Sequence, residues 1–120
     1  MFRSIHILTG ETLYERPPQS QAEFQTALSA LRQRQRHFAA QPVTARTALL
    51  SAFAQRLDAE RGRLARMVSE EVGRCLTECC AELDKSVELI RYYTRLAPEL
   101  LAHKTIATQA SLSQVRFEPL

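Results

Sequence analysis

The stretch Glu70-Glu71-Val72-Gly73-Arg74 decides how the middle of this 120-residue chain is organised. One amphipathic helical pattern ends there, because Gly73 suits the position after a helix where a left-handed φ carries no steric cost. A longer helical pattern follows from about residue 78 to residue 101, with Thr77 as its predicted N-cap. Its apolar face consists of Leu83, Val87, Ile90, Tyr93, Ala97 and Leu101. The stretch therefore predicts a junction between two helices.

Two further helices are predicted before this junction. Ser20 and Glu23 form a capping-box pattern, in which each residue satisfies a backbone N–H of the other, and apolar spacing continues from there to about residue 39. A second helix follows Pro42, with Thr44 as the expected N-cap and a break near residues 59–62. The expected apolar faces are Phe24, Ala27, Leu28, Leu31 and Phe38 in the first helix, and Leu49, Leu50, Phe53 and Leu57 in the second.

Short strands are predicted at both ends of the chain. Residues 3–16 have the pattern of a hairpin that turns at Thr9-Gly10-Glu11, and strands are expected at 105–108 and 112–117. The fold class is therefore mostly α with short β segments. The 120 residues form a single, incomplete domain of three parts: a leader hairpin (1–18), a helical segment (20–101) and a strand segment (103–120).

Composition excludes several classes of protein. Hydrophobic residues make up 45% of the chain and charged residues 24%, as in an ordinary globular domain, and the net charge is only +3. An excess this small is weak evidence for a nucleic-acid partner. The N-terminus lacks the apolar core of a signal peptide, and no apolar run approaches the ~20 residues that span a bilayer. We therefore expect a cytoplasmic protein with no nucleic-acid or membrane partner.

The three cysteines, Cys75, Cys79 and Cys80, are odd in number and clustered, so they do not form a disulfide framework. A structural zinc site needs four ligands, and no second group of ligands occurs in the sequence. Glu78 and Glu82 lie nearby and are expected to raise a thiol pKa, which disfavours a nucleophilic thiolate. The cysteines are predicted to be small hydrophobic side chains on a helix.

Two charged clusters are also explained by helix surfaces. The run Arg32-Gln33-Arg34-Gln35-Arg36-His37 places Arg34 on a different face from Arg32 and Arg36, which favours a solvated surface over a nucleic-acid site. The acids Glu70, Glu71, Glu78 and Glu82 lie near helix ends, where acidic residues are common. The sequence contains no dinucleotide-binding glycine motif, P-loop, zinc-protease motif or nucleophile elbow.

The order of several motifs resembles the N-terminal part of the aldehyde dehydrogenase superfamily, and most closely its compact bacterial succinate-semialdehyde dehydrogenase type. The motifs are Thr9-Gly10-Glu11, the helix ending near His37-Phe38, Arg46 after Pro42, Glu71-Val72-Gly73-Arg74, the long helix with Glu82 and Tyr92-Tyr93, and Arg116-Phe117-Glu118-Pro119-Leu120. The resemblance implies helices that pack on a dinucleotide-binding domain and strands that join an oligomerisation sheet. Leu120 would lead into the first strand of the dinucleotide-binding core.

The resemblance also implies a chemistry. Family members oxidise an aldehyde to a carboxylic acid through a thiohemiacetal on a cysteine, with hydride transfer to NAD or NADP. That cysteine follows a Gly-Gln-x motif, which surrounds none of the three cysteines here, so no catalytic or cofactor-binding residue is assigned. We expect no activity and no cofactor binding from this chain alone, and partners in the remainder of a dehydrogenase chain, its subunits or other copies.

One site of the family would fall within the chain. Some members hold a structural monovalent cation between leader carbonyls and an acid of the long helix, and the matching positions are Ser4, Ile5 and Glu82. Hard oxygen ligands suit such an ion. The alternative for Glu82 is an ordinary surface acid.

Two other functions remain open. A free-standing helical module that binds a partner protein would also explain four amphipathic helices. A helical nucleic-acid-binding domain is a third possibility, and its affinity would fall steeply with salt.

Overall fold

A computed structural model describes residues 1–119, which form four helices and four short strands. The helices are α1 (Gln21–Ala39), α2 (Val43–Ala59), α3 (Arg61–Val72) and α4 (Leu76–Leu100). The strands are β1 (Phe2–Ile5), β2 (Thr12–Arg16), β3 (Lys104–Thr105) and β4 (Gln114–Val115). The predicted class, mostly α with short β segments, is confirmed.

The leader hairpin consists of β1 and β2, which pair antiparallel with Phe2 opposite Arg16. The register shifts between Ser4 and Ile5, because Leu13 of β2 is an extra residue between their partners Tyr14 and Thr12. The turn is closed by the His6 N–H, which donates to the Glu11 carbonyl at 2.8 Å, and Gly10 adopts a φ of +74° within it. Glycine suits that position because side chains disfavour positive φ.

The N-terminus of α1 carries the capping box that the sequence predicts. The Ser20 N–H donates to the Glu23 carboxylate at 2.8 Å, and the Glu23 N–H donates to the Ser20 hydroxyl at 3.3 Å. These bonds satisfy donors that have no partner inside the helix. They also lower the pKa of Glu23, chiefly through the backbone N–H of Ser20.

The N-cap of α2 is Pro42, so the prediction of Thr44 is wrong. The Pro42 carbonyl accepts from the N–H groups of Ala45 and Arg46 at 3.1 and 3.2 Å, which places Thr44 inside the first turn. The predicted break at 59–62 is confirmed, because α2 ends at Ala59 and α3 begins at Arg61.

The N-cap of α4 is Cys75, so the prediction of Thr77 is also wrong. The Cys75 carbonyl accepts from the Cys79 N–H at 3.1 Å, and the helix begins at Leu76. It continues to Leu100 with Pro98 in its last turn. The start lies earlier than predicted because Cys75 has the extended backbone of an N-cap (φ −58°, ψ 135°).

The helices α2 and α3 both pack on α4, while α1 has no fully buried residue. The buried hydrophobic residues among 1–119 are small or medium in size: Ala54, Ala65, Cys79 and Val87. Surface ion pairs bridge the same helices, since Arg91 Nη2 lies 2.7 Å from Asp58 Oδ2 and Arg61 Nη2 lies 2.7 Å from Asp84 Oδ2. Small residues at the contacts let the helix backbones approach closely.

The chain is long and thin rather than compact. Its extents are 70 × 40 × 21 Å, and its radius of gyration is 20.6 Å, whereas a compact domain of this length has about 14 Å. Large apolar side chains therefore remain exposed on all four helices. They include Phe24 and Leu31 of α1, Leu49, Leu50 and Phe53 of α2, and Leu89, Tyr92 and Tyr93 of α4.

The C-terminal strands are shorter than predicted. Only Lys104–Thr105 and Gln114–Val115 pair, with one further bond from the Ile106 N–H to the Ser113 carbonyl at 2.8 Å. An isolated two-stranded ribbon is marginal in water, which accounts for the short ladder. The expectation for Leu120 lies outside the described residues.

Candidate functional site

The leader hairpin docks on the C-terminal end of α3, close to the junction stretch. The Ser4 hydroxyl donates to Glu71 Oε1 at 2.6 Å, and the Ile7 N–H donates to the Glu70 carbonyl at 3.0 Å. These two bonds connect residues more than 60 positions apart in the sequence. We call this contact, together with Gly73, Arg74 and Glu82, the leader–junction site.

Gly73 occupies the αL position that the sequence predicts, with a φ of +76°. Its N–H donates to the Ser69 carbonyl at 2.8 Å and so closes the end of α3. A Cβ at this position would lie only 2.8 Å from Cγ2 of Ile7. Glycine is therefore required both by the backbone conformation and by the approach of the leader.

Arg74 holds the two sides of the junction together. Its carbonyl accepts from the Ser69 hydroxyl at 2.7 Å, and its guanidinium Nη1 donates to Oε1 of Glu82. Glu78 Oε2 lies 3.6 Å from the guanidinium Nε. The hydrogen bond to Glu82 is the main cause that raises the pKa of Arg74 above its ordinary value. The four-residue spacing of Arg74 and Glu78 is the sequence signal for one of these pairs.

The residues of the predicted cation site have other partners within residues 1–119. Ser4 contacts Glu71, and Glu82 contacts Arg74. Ile5 follows Ser4 in β1 and pairs with Thr12, at the point where the hairpin register shifts. No group of three or more His, Cys, Asp or Glu residues in this part of the chain has the arrangement of a metal site. The cation site at Ser4, Ile5 and Glu82 stays a prediction.

The three cysteines occupy different environments at the start of α4. Cys79 is 1% exposed, Cys80 is half-buried and Cys75 is exposed. Cys79 and Cys80 fit the prediction of buried or semi-exposed cysteines on a helix, whereas Cys75 is exposed at the N-cap. The Sγ atom of Cys75 lies 2.9 Å from the Thr77 hydroxyl oxygen.

The expected direction of the thiol pKa shift is wrong for Cys75. Its pKa is lowered, chiefly by the hydrogen bond with the Thr77 hydroxyl and next by the Thr77 backbone, and these outweigh the opposing charge of Glu78. The early start of α4 is the reason, since it places the sulfur over the N–H groups of the first turn. Among residues 1–119, however, no hydrogen bond joins a histidine to a cysteine, so the Cys–His pair typical of a nucleophilic thiol is not formed there.

A search of the described helices found none with the length and apolar character needed to cross a membrane.

Solved structures share the fold of this chain. Succinic semialdehyde dehydrogenase from Streptococcus pyogenes, in complex with NADP+, superposes with a TM-score of 0.84 over 95% of this chain and 25% of that one, at 20% identity. Glyceraldehyde-3-phosphate dehydrogenase from Methanocaldococcus jannaschii, complexed with NADP, gives a TM-score of 0.83 over 93% of this chain and 24% of that one, at 17% identity. The fold is that of an N-terminal part of these enzymes.

Curated relatives agree with the structural match. The chain is 28% identical over 119 residues to the NADP-dependent succinate-semialdehyde dehydrogenase of Deinococcus radiodurans, covering 99% of this chain and 25% of that protein. The corresponding protein of Mycobacterium leprae is 30% identical over 120 residues, covering 98% and 26%. The chain thus spans about a quarter of the length of these relatives. Because the family model for the aldehyde dehydrogenase family matches residues 1–120, the chain belongs to that family.

Proposed function

We propose that this chain is the N-terminal scaffold of an NAD(P)-dependent aldehyde dehydrogenase that oxidises succinate semialdehyde to succinate. The fold of a quarter of such an enzyme, combined with a large uncovered apolar surface, is the observation that carries the proposal. The names of the relatives supply the substrate and the preference for NADP. The scaffold works as part of a larger assembly in a reducing cytoplasm, where its three thiols stay free.

The chemistry of the described residues supports a scaffold rather than a catalyst. Aldehyde oxidation needs a thiolate, a base for the attacking water and a bound nicotinamide. Cys79 is buried, and no hydrogen bond joins a histidine to Cys75 among residues 1–119. When NAD(P) is bound, it accepts the hydride, and the residues that hold it belong to the remainder of the enzyme. In this proposal α2 and α4 pack on the dinucleotide-binding domain, and β3 and β4 extend the oligomerisation sheet.

Fragment complementation tests the proposal. The succinate-semialdehyde dehydrogenase of Deinococcus radiodurans would be produced without the segment that matches this chain, alone and together with it. Reduction of NADP+ in the presence of succinate semialdehyde would be followed at 340 nm. We expect no activity from either part alone and measurable activity from the co-purified pair.

Variants of α2 test whether its exposed apolar face is the surface that binds the remainder of the enzyme. Phe53, which is 52% exposed, would be changed to Asp, and the exposed polar residue Gln55 on the same helix would be changed to Asp as the control. We expect F53D to abolish co-purification and Q55D to retain it. Activity of the 120-residue chain alone would overturn the scaffold proposal. Binding of an unrelated partner without complementation would favour the free-standing interaction module.

Self-association of the isolated chain is part of the same proposal. Exposed apolar patches of this extent promote association in water. Sedimentation-velocity centrifugation over a range of concentrations should show oligomers, and F53D should shift the distribution toward monomer. A monomer at all concentrations would contradict this expectation.

The cation site at Ser4, Ile5 and Glu82 remains part of the proposed enzyme. Arg74 occupies Oε1 of Glu82, so a cation would have to bind Oε2 or displace the guanidinium. Thermal unfolding of the assembled enzyme would be compared in NaCl, KCl and tetramethylammonium chloride at equal ionic strength. We expect a higher Tm with Na+ or K+ that is lost in Glu82→Gln. Equal Tm values in the three salts would show that no monovalent cation binds at this site.

A further inference from the structure

A groove lies between the start of α2 and the segment that follows α4. It has a volume of about 460 Å³, within the range of small-molecule sites. Val43 and Phe117 contribute apolar walls, and the polar side chains that line it are Gln41, Arg46, His103, Arg116 and Glu118. We call it the α2 groove. It shares no residue with the leader–junction site.

Arg46 is the central polar group of this groove. Its Nε atom is buried and has no hydrogen-bond partner among residues 1–119. The guanidinium carbon lies 6.0 Å from the centre of the Phe38 ring, so one side of the group is covered by an aromatic face. A buried donor without a partner is unfavourable, and in native proteins such groups usually bind an ion, a water or a ligand. Arg46 is one of the residues that line the groove, although its Nε atom itself is covered.

The charges around Arg46 favour an anion as that partner. Arg46 and Arg116 are cationic, the His103 imidazole can donate a hydrogen bond, and Glu118 is the one acid among the lining residues. Val43, the first residue of α2, also lines the groove. The first N–H groups of a 17-residue helix have no partners inside the helix, and the helix dipole adds positive potential there.

We infer that the α2 groove binds the carboxylate or phosphate group of a small molecule, with Arg46 as the main donor and Arg116 as a second. A planar guanidinium suits either oxyanion, because it can donate two parallel hydrogen bonds. The apolar walls at Val43 and Phe117 would contact the non-ionic part of the ligand. Glu118 competes with the ligand for the two arginines. A site for a small oxyanion goes beyond the proposed scaffold function.

Side-chain NMR of the 120-residue chain tests the inference directly. The Nε–H signal of Arg46 would be assigned from Arg46→Gln and followed during titration with inorganic phosphate and, separately, with succinate. Sodium chloride at matched ionic strength controls for screening. We expect a saturable shift with at least one of the two anions and no saturable shift with chloride. Saturation with phosphate alone identifies a phosphate ligand, and saturation with succinate alone identifies a carboxylate ligand.

Three further variants separate binding from folding. Arg56→Gln alters an exposed arginine of the same helix and should bind the anion as wild type does, whereas Arg116→Gln should bind about tenfold more weakly. Glu118→Gln removes the competing acid and should bind about two- to fivefold more tightly. The affinities of R116Q and E118Q remain informative if Arg46→Gln does not fold. No saturable shift with either anion, or unchanged affinity in both R116Q and E118Q, would overturn the inference.

Discussion

Ile7 of the leader turn rests directly against Gly73, the residue that ends α3. Cγ2 of Ile7 would lie 2.8 Å from a Cβ at position 73, closer than carbon atoms pack in proteins. The Ile7 N–H also donates to the Glu70 carbonyl at 3.0 Å. The end of α3 is therefore both a helix terminus and the docking surface of the hairpin, and a single glycine serves both purposes.

Gly73→Ala should destabilise the chain more than Gly10→Ala. Both residues have positive φ, of +76° and +74°, and each alanine should cost about 1–2 kcal/mol for that reason. Only position 73 adds the collision with Ile7, because nothing lies within 4 Å of a Cβ at Gly10. Urea unfolding followed by circular dichroism should therefore give a larger loss for G73A, by about 1 kcal/mol or more. Equal losses would show that the leader does not dock as described.

Ser20→Ala should weaken α1 by about 1 kcal/mol, because it removes the hydroxyl that accepts from the Glu23 N–H. The matched control is Ser29→Ala in the exposed middle of the same helix, which should change stability little. Helix content by circular dichroism and amide hydrogen exchange in residues 21–24 would report the difference. Equal exchange rates in the two variants would mean that the capping box contributes nothing measurable.

Ala54→Leu should destabilise the contact between α2 and α4. Ala54 is 0% exposed, so a larger side chain must force the two helices apart at a cost of about 1–3 kcal/mol. Ala52→Leu places the same side chain on the exposed side of α2 and is the control. Urea midpoints measure the difference, and a neutral A54L would mean that α2 is not held on α4 in solution.

Cys75 should react with thiol reagents before the other two cysteines. Cys75 is exposed and its pKa is lowered, whereas Cys79 is only 1% exposed. The labelling rate of Cys79 should therefore be about a tenth of the Cys75 rate, or lower. Iodoacetamide labelling at pH 7 with peptide mass analysis would give the order. Thr77→Val removes the main cause of the pKa shift and should slow Cys75 selectively, while Thr94→Val in the same helix should not. Unchanged labelling in T77V would contradict the assigned role of the hydroxyl.

The pairing of Arg61 with Asp84 predicts a pH dependence below pH 4. The hydrogen bond from Arg61 lowers the pKa of Asp84 from its ordinary value of 3.8 in the folded chain. A carboxyl whose folded pKa is depressed adds stability above its unfolded pKa, and this contribution is lost as the pH falls through the folded pKa. The stability of wild type should therefore fall more steeply from pH 4 to pH 2 than that of Asp84→Asn.

Urea midpoints at several pH values would measure that slope. Glu88→Gln neutralises another exposed acid of α4 and serves as the control, because no ion pair of Glu88 occurs among residues 1–119. The slope of E88Q should match wild type. A D84N slope equal to that of wild type would mean that the ion pair does not form in solution.

Local interactions could be predicted from the sequence because their partners are close in the chain. The capping box joins residues three apart, and Gly73 ends a helix through a bond to Ser69. Pro42 and the break near Glu60 divide the helices where expected, yet both predicted threonine N-caps were wrong. N-cap choice depends on the backbone conformation of one residue. Pro42 and Cys75 adopt the extended geometry of an N-cap, although neither makes a side-chain capping bond.

Burial depends on what packs against each helix. Apolar spacing placed Phe24, Leu49 and Tyr93 on apolar helix faces, and all three are more than half exposed. Ala54 and Ala65 are buried instead, because close helix contacts need small residues. The periodicity identifies which side of a helix is apolar, and it carries no information about what covers that side.

The sequence by itself determined the helical class, the helix junction at Gly73 and the resemblance to aldehyde dehydrogenases, since these depend on residue order and on neighbours within a few positions. Only the tertiary structure decided that Ser4 meets Glu71, that Glu82 is held by Arg74 and that the buried Arg46 Nε has no hydrogen-bond partner among residues 1–119. It also reversed the expected direction of the Cys75 pKa shift. Each of these depends on distances of a few ångströms between groups, and residue spacing alone leaves those distances undetermined.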